Sequence, residues 1–105
     1  MKVTVLAGGV GGAKFLRGLR TLAGLDITVV ANTGDDLWLT GLRVCPDLDS
    51  IMYALGGIND VQRGWGRADE TERVSAELTA YGVGWPWFTL GDLDIGTHLT
   101  RSCCR

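Results

Sequence analysis

Charge of one sign never accumulates in this chain. Ten Lys and Arg residues stand against twelve Asp and Glu, a formal net charge of -2 with no run of like charges, so the basic footprint of a nucleic-acid binder is missing. Any phosphate bound is expected to belong to a small molecule. Cysteine is scarce as well: Cys45, Cys103 and Cys104 are too few and too unevenly placed for a disulfide framework, which fits a reducing, cytoplasmic setting. No stretch approaches the roughly 20 apolar residues that cross a bilayer, so no membrane partner is expected. The apolar start is broken by Gly8, Gly9, Gly11 and Gly12 and followed by Lys14 and Arg17 without a clear cleavage site, and it reads as strand plus loop rather than as a signal peptide.

Two standard fingerprints are absent too. In Gly9-Val10-Gly11-Gly12-Ala13-Lys14, Lys14 stands where the dinucleotide motif wants Gly or Ala, and the P-loop pattern fails because Ala13 replaces its glycine and Phe15 its magnesium-binding hydroxyl. This excludes a standard dehydrogenase and a standard NTPase. What is present is ordinary globular usage, 46% hydrophobic and 21% charged over 105 residues, enough for one core.

Lys2-Val3-Thr4-Val5-Leu6-Ala7 is short, apolar and β-branched, the pattern of a strand buried on both faces of a parallel sheet. After the glycines, Phe15, Leu16, Leu19, Leu22 and Ala23 recur at helical spacing, predicting an amphipathic helix ending near Gly24. Asp26-Ile27-Thr28-Val29-Val30-Ala31-Asn32 repeats the strand signature, and a strand-helix-strand unit of this size closes as a right-handed parallel crossover. The fold class is therefore α/β: a Rossmann-like parallel sheet with flanking helices, incomplete over these residues.

Beyond the polar turn Thr33-Gly34-Asp35-Asp36, residues 37–44 suggest extended structure. Pro46 stops them, Asp47 or Asp49 caps a helix running to Leu55, and Gly56-Gly57 ends it. Residues 59–67 read as an exposed connection, residues 69–81 as a helix, and Trp85-Pro86-Trp87-Phe88-Thr89-Leu90 as a strand. Residues 91–100 enter a helix that the chain does not complete, so residues 1–105 are expected to be the amino-terminal nucleotide-binding part of a single larger α/β domain, frayed over residues 101–105.

A glycine loop between strand and helix offers main-chain N–H groups at the positive end of the helix dipole, where a diphosphate fits. The same glycines also allow a tight turn and close helix packing. Asn32-Thr33-Gly34-Asp35-Asp36 follows the second strand, at the edge where open α/β sheets place ligands, and is either a contact to ribose, base or magnesium or an Asx turn. Asp47 with Asp49, and Asp92 with Asp94, share a face only if extended; on helices they diverge and read as caps or turns. The single His98 has no sequence-near metal partner and reads as a packing or helix-surface residue. The four tryptophans read mainly as core, with stacking on a base or flavin-like ring as the other use.

Taken in order, Gly8-Gly9-Val10-Gly11-Gly12, Asn32-Thr33-Gly34-Asp35-Asp36, Pro46-Asp47-Leu48-Asp49-Ser50 and the run from Trp87 through Gly91-Asp92-Leu93-Asp94-Ile95-Gly96-Thr97-His98-Leu99 resemble the 2-phospho-L-lactate transferase (CofD-like) family. The resemblance spans residues 1–101, and known members are longer. It implies a transferase of deazaflavin coenzyme biosynthesis that moves a phospholactyl or phosphoenolpyruvyl group from a guanosine diphosphate-linked donor to a deazaflavin alcohol (Fo), releasing GMP with the help of magnesium. It also suggests a homodimer. On this sequence it implies donor contacts from Gly8, Gly9, Val10, Gly11, Gly12, Lys14, Asn32 and Thr33, and from Gly91 and Asp92 in the segment 91–97 that closes the same pocket. Asp35 and Asp49 become the metal candidates, and Asp49 also the catalytic base. The alternatives are a sugar-nucleotide-binding regulator of the gluconeogenesis-factor type and a noncatalytic nucleotide-binding remnant.

Overall fold

The computed structural model describes residues 1–85 and 87–104. Strand β1 (Lys2–Ala7) leads through one extended residue, Gly8, into helix α1 (Gly9–Leu19), and β2 (Asp26–Ala31) returns parallel to β1 in the register Lys2 to Asp26 through Ala7 to Ala31. The βαβ unit is as expected. A difference lies in the glycine segment: Gly8 (φ -112°, ψ 152°) and the positive φ of Gly9 (33°) make the bend, and Gly9, Val10, Gly11 and Gly12 already form the first turn of α1. A side chain on Gly12 would sit 3.0 Å from the Ala7 Cβ, so glycine here lets α1 start flush against the strand end.

Burial of both strand faces is not what the structure shows. Val3, Val5 and Ala7 face α1 and α2, whereas Leu6 is 80% exposed and its partner Val30 is exposed with it. Among the described residues one layer of helices covers the sheet, so the strands keep the alternation of a half-covered sheet. Helix α1 also stops earlier than expected, at Leu19, with a turn through to Gly24. Phe15, inside α1, and Leu22, beyond its end, both face solvent, while Ala13 and Leu16 carry the packing.

Residues 37–44 form a hairpin of β3 (Leu37–Leu39) and β4 (Leu42–Val44), turned at Thr40 and Gly41. Helix α2 (Pro46–Gly56) follows, with Cys45 as the cap residue and Pro46 at the first position; Asp47 and Asp49 are therefore first-turn residues, favourable at the positive helix end, rather than caps. Gly57 ends α2 in the left-handed conformation. Helix α3 (Arg73–Ala80) is shorter than its composition predicts. The expected strand at residues 85–90 is instead a turn closed by a Trp85–Phe88 bridge; Pro86 lies outside the described residues.

Helix α4 (Asp92–Cys103) makes three turns and is not frayed at Arg101 and Ser102: the Arg43 amide donates to Ser102 Oγ at 3.0 Å, and Arg101 donates to the Arg43 carbonyl at 3.1 Å. Arg105 lies outside the described residues. None of the four tryptophans is buried, against the expectation of core packing.

The single core expected from length and composition is two. Ala7, Ala13, Leu16, Ile51 and Ala54 form one, between the sheet, α1 and α2; Leu39, Val44 and Leu90 form the other, under the hairpin and α4. The radius of gyration, 15.0 Å, exceeds the roughly 13 Å of a compact domain of this length. Polar side chains of α2 and α4, Asp49 and Tyr53 against Asp94, His98 and Arg101, meet outside both apolar clusters.

Candidate functional site

At the carboxyl edge of β1 and β2, the first turn of α1 is a mouth of main-chain amides. Gly12 N–H is bonded to the Gly8 carbonyl at 3.0 Å, so the amides of Gly9, Val10 and Gly11 are the ones a helix leaves without an internal partner. No acidic side chain stands in this first turn, and a Cβ on Gly11 would meet nothing within 4 Å. Lys14 and Arg17 follow on exposed positions of the same helix. The arrangement offers donors and the positive dipole end to an anion.

Asn32 leaves β2 beside this mouth. Its Nδ2 donates to Asp47 Oδ2 at 2.8 Å and its Oδ1 accepts the Gly34 amide at 3.2 Å, an Asx turn reinforced by Asp36 N–H on the Thr33 carbonyl. Thr33 and Asp35 sit exposed on that turn. The Asp47 carboxylate faces the bend, since side chains on Gly8 and Gly9 would lie 3.7 Å and 3.4 Å from its oxygens. The structure thus brings Gly8, Gly9, Asn32 and Thr33 to one edge, and adds Asp47.

A second constellation lies between α2 and α4. Asp49 and Tyr53 project from α2; Asp94, Thr97, His98 and Arg101 project from α4. Arg101 binds the Asp49 carboxylate and donates to His98 Nδ1 at 3.3 Å. His98 Nδ1 lies 3.5 Å from Asp49 Oδ2, and Nε2 3.4 Å from Asp94 Oδ2. Tyr53 donates to Asp94 Oδ1 at 2.5 Å and pairs with the Thr97 hydroxyl at 2.9 Å. His98 is 1% and Asp49 4% exposed. Asp49 Oδ2 and His98 Nε2 nonetheless lack an aligned hydrogen-bond partner among the described residues.

Burial raises the Asp49 carboxyl above the ordinary carboxylate range, with Arg101 and His98 opposing. Burial works against ionising Asp94 too, but the His98 imidazole and the Tyr53 hydroxyl outweigh it and hold that carboxyl below its usual value. Burial, then the Asp94 carboxylate, pushes the Tyr53 phenol well up, so it stays a donor. Asp49, Asp94 and His98 could hold an ion, their ligand atoms lying within 4.8 Å of one another; Asp35 is outside this grouping. Two carboxylates and unsatisfied buried atoms fit a divalent cation, with magnesium served by the oxygens rather than the imidazole.

Gly91 and Asp92 are engaged in the fold. Glu70 Oε1 accepts the Leu93 amide at 3.1 Å and Oε2 the Asp94 amide at 3.3 Å, capping α4 in the space a side chain on Gly91 would occupy. Asp92 accepts the Thr71 hydroxyl at 2.7 Å and the Val74 amide at 2.9 Å, which lower its carboxyl below the usual range.

Asp47 and Asp94, expected as caps or turns, and His98, expected as a packing or helix-surface residue, join Tyr53 and Arg101, for which the sequence suggests no site role. A signal existed: Asp49 and Tyr53 are four apart on one helix, and Asp94, His98 and Arg101 four and three apart on another, each set on one face. That the two faces meet was not in either pattern.

The family model described as 2-phospho-L-lactate transferase CofD matches residues 3–104. Curated relatives named phosphoenolpyruvate transferase include those of Streptomyces coelicolor, 61% identical, and Streptomyces griseus, 60% identical, each aligned over 97% of this chain and 32% of the relative. The relative from Mycobacterium bovis is 54% identical over 97% of this chain and 35% of its own length. The chain spans about a third of the length of these relatives.

Proposed function

This chain belongs to the 2-phospho-L-lactate transferase CofD family, and from that premise we propose that residues 1–105 form the donor-binding part of a larger α/β transferase domain. The reaction is transfer of a phospholactyl or phosphoenolpyruvyl group from a guanosine diphosphate-linked donor to the hydroxyl of a deazaflavin alcohol (Fo), with release of GMP. The name shared by the relatives favours the phosphoenolpyruvyl donor. One observation carries the reading: three main-chain amides at the start of α1 open onto the carboxyl edge of the sheet beside Asn32, whose side chain holds the Asp47 carboxylate that faces the bend.

In this reading Gly8, Gly9, Val10, Gly11 and Gly12 hold the donor diphosphate, Lys14 offsets its charge, and Asn32 with Thr33 contacts the nucleoside side. Gly91 and Asp92 act by setting α4 against α3. Asp49 is the base for the acceptor hydroxyl, a role suited to a buried carboxyl whose proton affinity is raised. Asp49, with Asp94, is the proposed contact to magnesium between α2 and α4; Asp35, exposed on the turn after β2 and outside that grouping, is a separate candidate. A bound magnesium would draw charge from the leaving phosphate. Phosphoryl transfer is chiefly positioning and charge neutralisation, so no covalent nucleophile is required of the chain. A homodimer and a cytoplasmic setting complete the proposal.

Calorimetry of the chain with GDP, NAD and a UDP-sugar, each with and without magnesium, tests this. GDP should bind most tightly and gain from magnesium. A preference for NAD would remove the transferase reading, and a preference for the UDP-sugar would move the chain to the regulator type.

A further inference from the structure

Arg101 turns its guanidinium to three groups at once: it binds Asp49 Oδ1, donates to His98 Nδ1 at 3.3 Å and donates to the Arg43 carbonyl at 3.1 Å. Asp49, Asp94 and His98 border a cavity of about 200 Å³ in whose lining Arg101 takes no part; Arg101 borders a different one, with Trp38, Arg43 and Ser102. Any influence of Arg101 on the first cavity therefore passes through Asp49 and His98.

A guanidinium carries donors only and keeps its charge. The ring nitrogen it faces, Nδ1, must be the acceptor, so the hydrogen of the imidazole belongs on Nε2. The surroundings of Nε2 agree. That nitrogen lies 3.4 Å from Asp94 Oδ2, while Asp94 Oδ1 takes the Tyr53 hydroxyl. Although the pair is not aligned as a hydrogen bond, a lone pair on Nε2 would face the negative charge of the carboxylate, whereas an N–H is attracted by it. The reverse arrangement sets two donors head to head at Nδ1 and a lone pair against a carboxylate at Nε2. At 1% exposure little water is present to soften either conflict.

We infer that Arg101 is a positioning residue: it occupies Asp49 Oδ1 and fixes the imidazole hydrogen on Nε2, leaving Asp49 Oδ2 as the one oxygen of that carboxylate open to a proton. The inference rests on the reading of Asp49 as the base, and adds which of its oxygens acts and what keeps that oxygen available. His98 Nδ1 lies 3.5 Å from Asp49 Oδ2, near enough that a hydrogen on Nδ1 would be shared with that oxygen and close it. With the hydrogen on Nε2, His98 gives Oδ2 nothing. This accounts for a buried carboxylate oxygen that has no hydrogen-bond partner among the described residues.

The chain contains one histidine, so its ring nitrogens give a single pair of signals. Nitrogen chemical shifts of the isotope-labelled imidazole, recorded without nucleotide or divalent cation, should show Nε2 as a hydrogen-bearing nitrogen and Nδ1 as a bare one. Arg101→Lys, which keeps a cationic donor, should retain that pattern. Arg101→Met removes the donor, and the hydrogen should then divide between the two nitrogens, drawing their shifts together. Tyr53→Phe, which loosens the same network from the Asp94 side, should leave Nδ1 bare; a role confined to holding the helices together would make Arg101→Met and Tyr53→Phe behave alike. A hydrogen on Nδ1 in the native chain, alone or together with Nε2, would overturn the inference whether or not any variant folds. So would the native pattern in an Arg101→Met chain whose circular dichroism is native. Neither result touches the donor reading, which stands or falls on GDP binding in the calorimetry.

Discussion

The amide mouth and the α2–α4 network are built on opposite principles. The mouth is made of main chain: β1, one extended residue and the start of α1 create it, and Gly12 packing on Ala7 is the contact that defines its shape. The network is made of side chains from residues more than forty positions apart in sequence, Asp49 and Tyr53 against Asp94, His98 and Arg101. The first tolerates many side chains and few added atoms; the second tolerates backbone adjustment and few chemical changes. Mutations should separate the two accordingly.

The largest effect should come from the core beneath the mouth. Leu16→Ala, at a residue 1% exposed between the sheet and α2, should cost about 3 kcal/mol in urea unfolding, in line with other buried leucines. In the network, His98→Ala leaves Asp49 and Asp94 buried with their shared partner removed, and should cost about 2 kcal/mol by the same measurement. Tyr53→Phe, which deletes a hydrogen bond to a carboxylate without changing shape, should cost about 1.5 kcal/mol. Gly11→Ala reverses the sign: it lies in the first turn of α1 with open space around it, so it should stabilise the chain by about 0.5 kcal/mol, and it should weaken GDP if the proposed diphosphate site at those amides is correct.

The smallest effects concern pH. Asp94 has a depressed folded value, so its stabilisation is present above the ordinary carboxylate value of about 3.9 and is lost as pH falls through the lower folded value. Asp49 has a raised value and runs the other way: its contribution is complete below the ordinary value and declines as pH rises through the folded one. Thermal unfolding across that range should therefore show a shallow optimum. Asp94→Asn should flatten its acid side and Asp49→Asn its upper side; an unchanged profile in both would contradict the opposed shifts.

How much of this was legible in the sequence follows from the same contrast. Periodicity and glycine placement gave β1, α1, β2 and the end of α2, because short-range pattern controls those elements. Helical spacing puts Phe15 and Leu22 on one stripe with Leu16, but a stripe shows neither where the helix stops, at Leu19 before Leu22, nor how much of it is covered, and Phe15 is exposed inside α1. Leu6 was expected to be covered because a parallel strand usually has helices on both faces, and here one face is open. His98 looked solitary because its partner Asp49 stands forty-nine positions away, His98 and Asp49 being brought together only when α4 crosses α2. The four recurring motifs were enough for the family; the chemistry between them became readable only in three dimensions.

Amide shifts during a GDP titration of the isotope-labelled chain bear most directly on the central claim that bare main-chain donors at the start of α1 hold the donor diphosphate. The N–H signals of Gly9, Val10 and Gly11 should move first and furthest, and guanosine without phosphate should leave them in place. Signals that stay fixed at those three residues while others respond would contradict it.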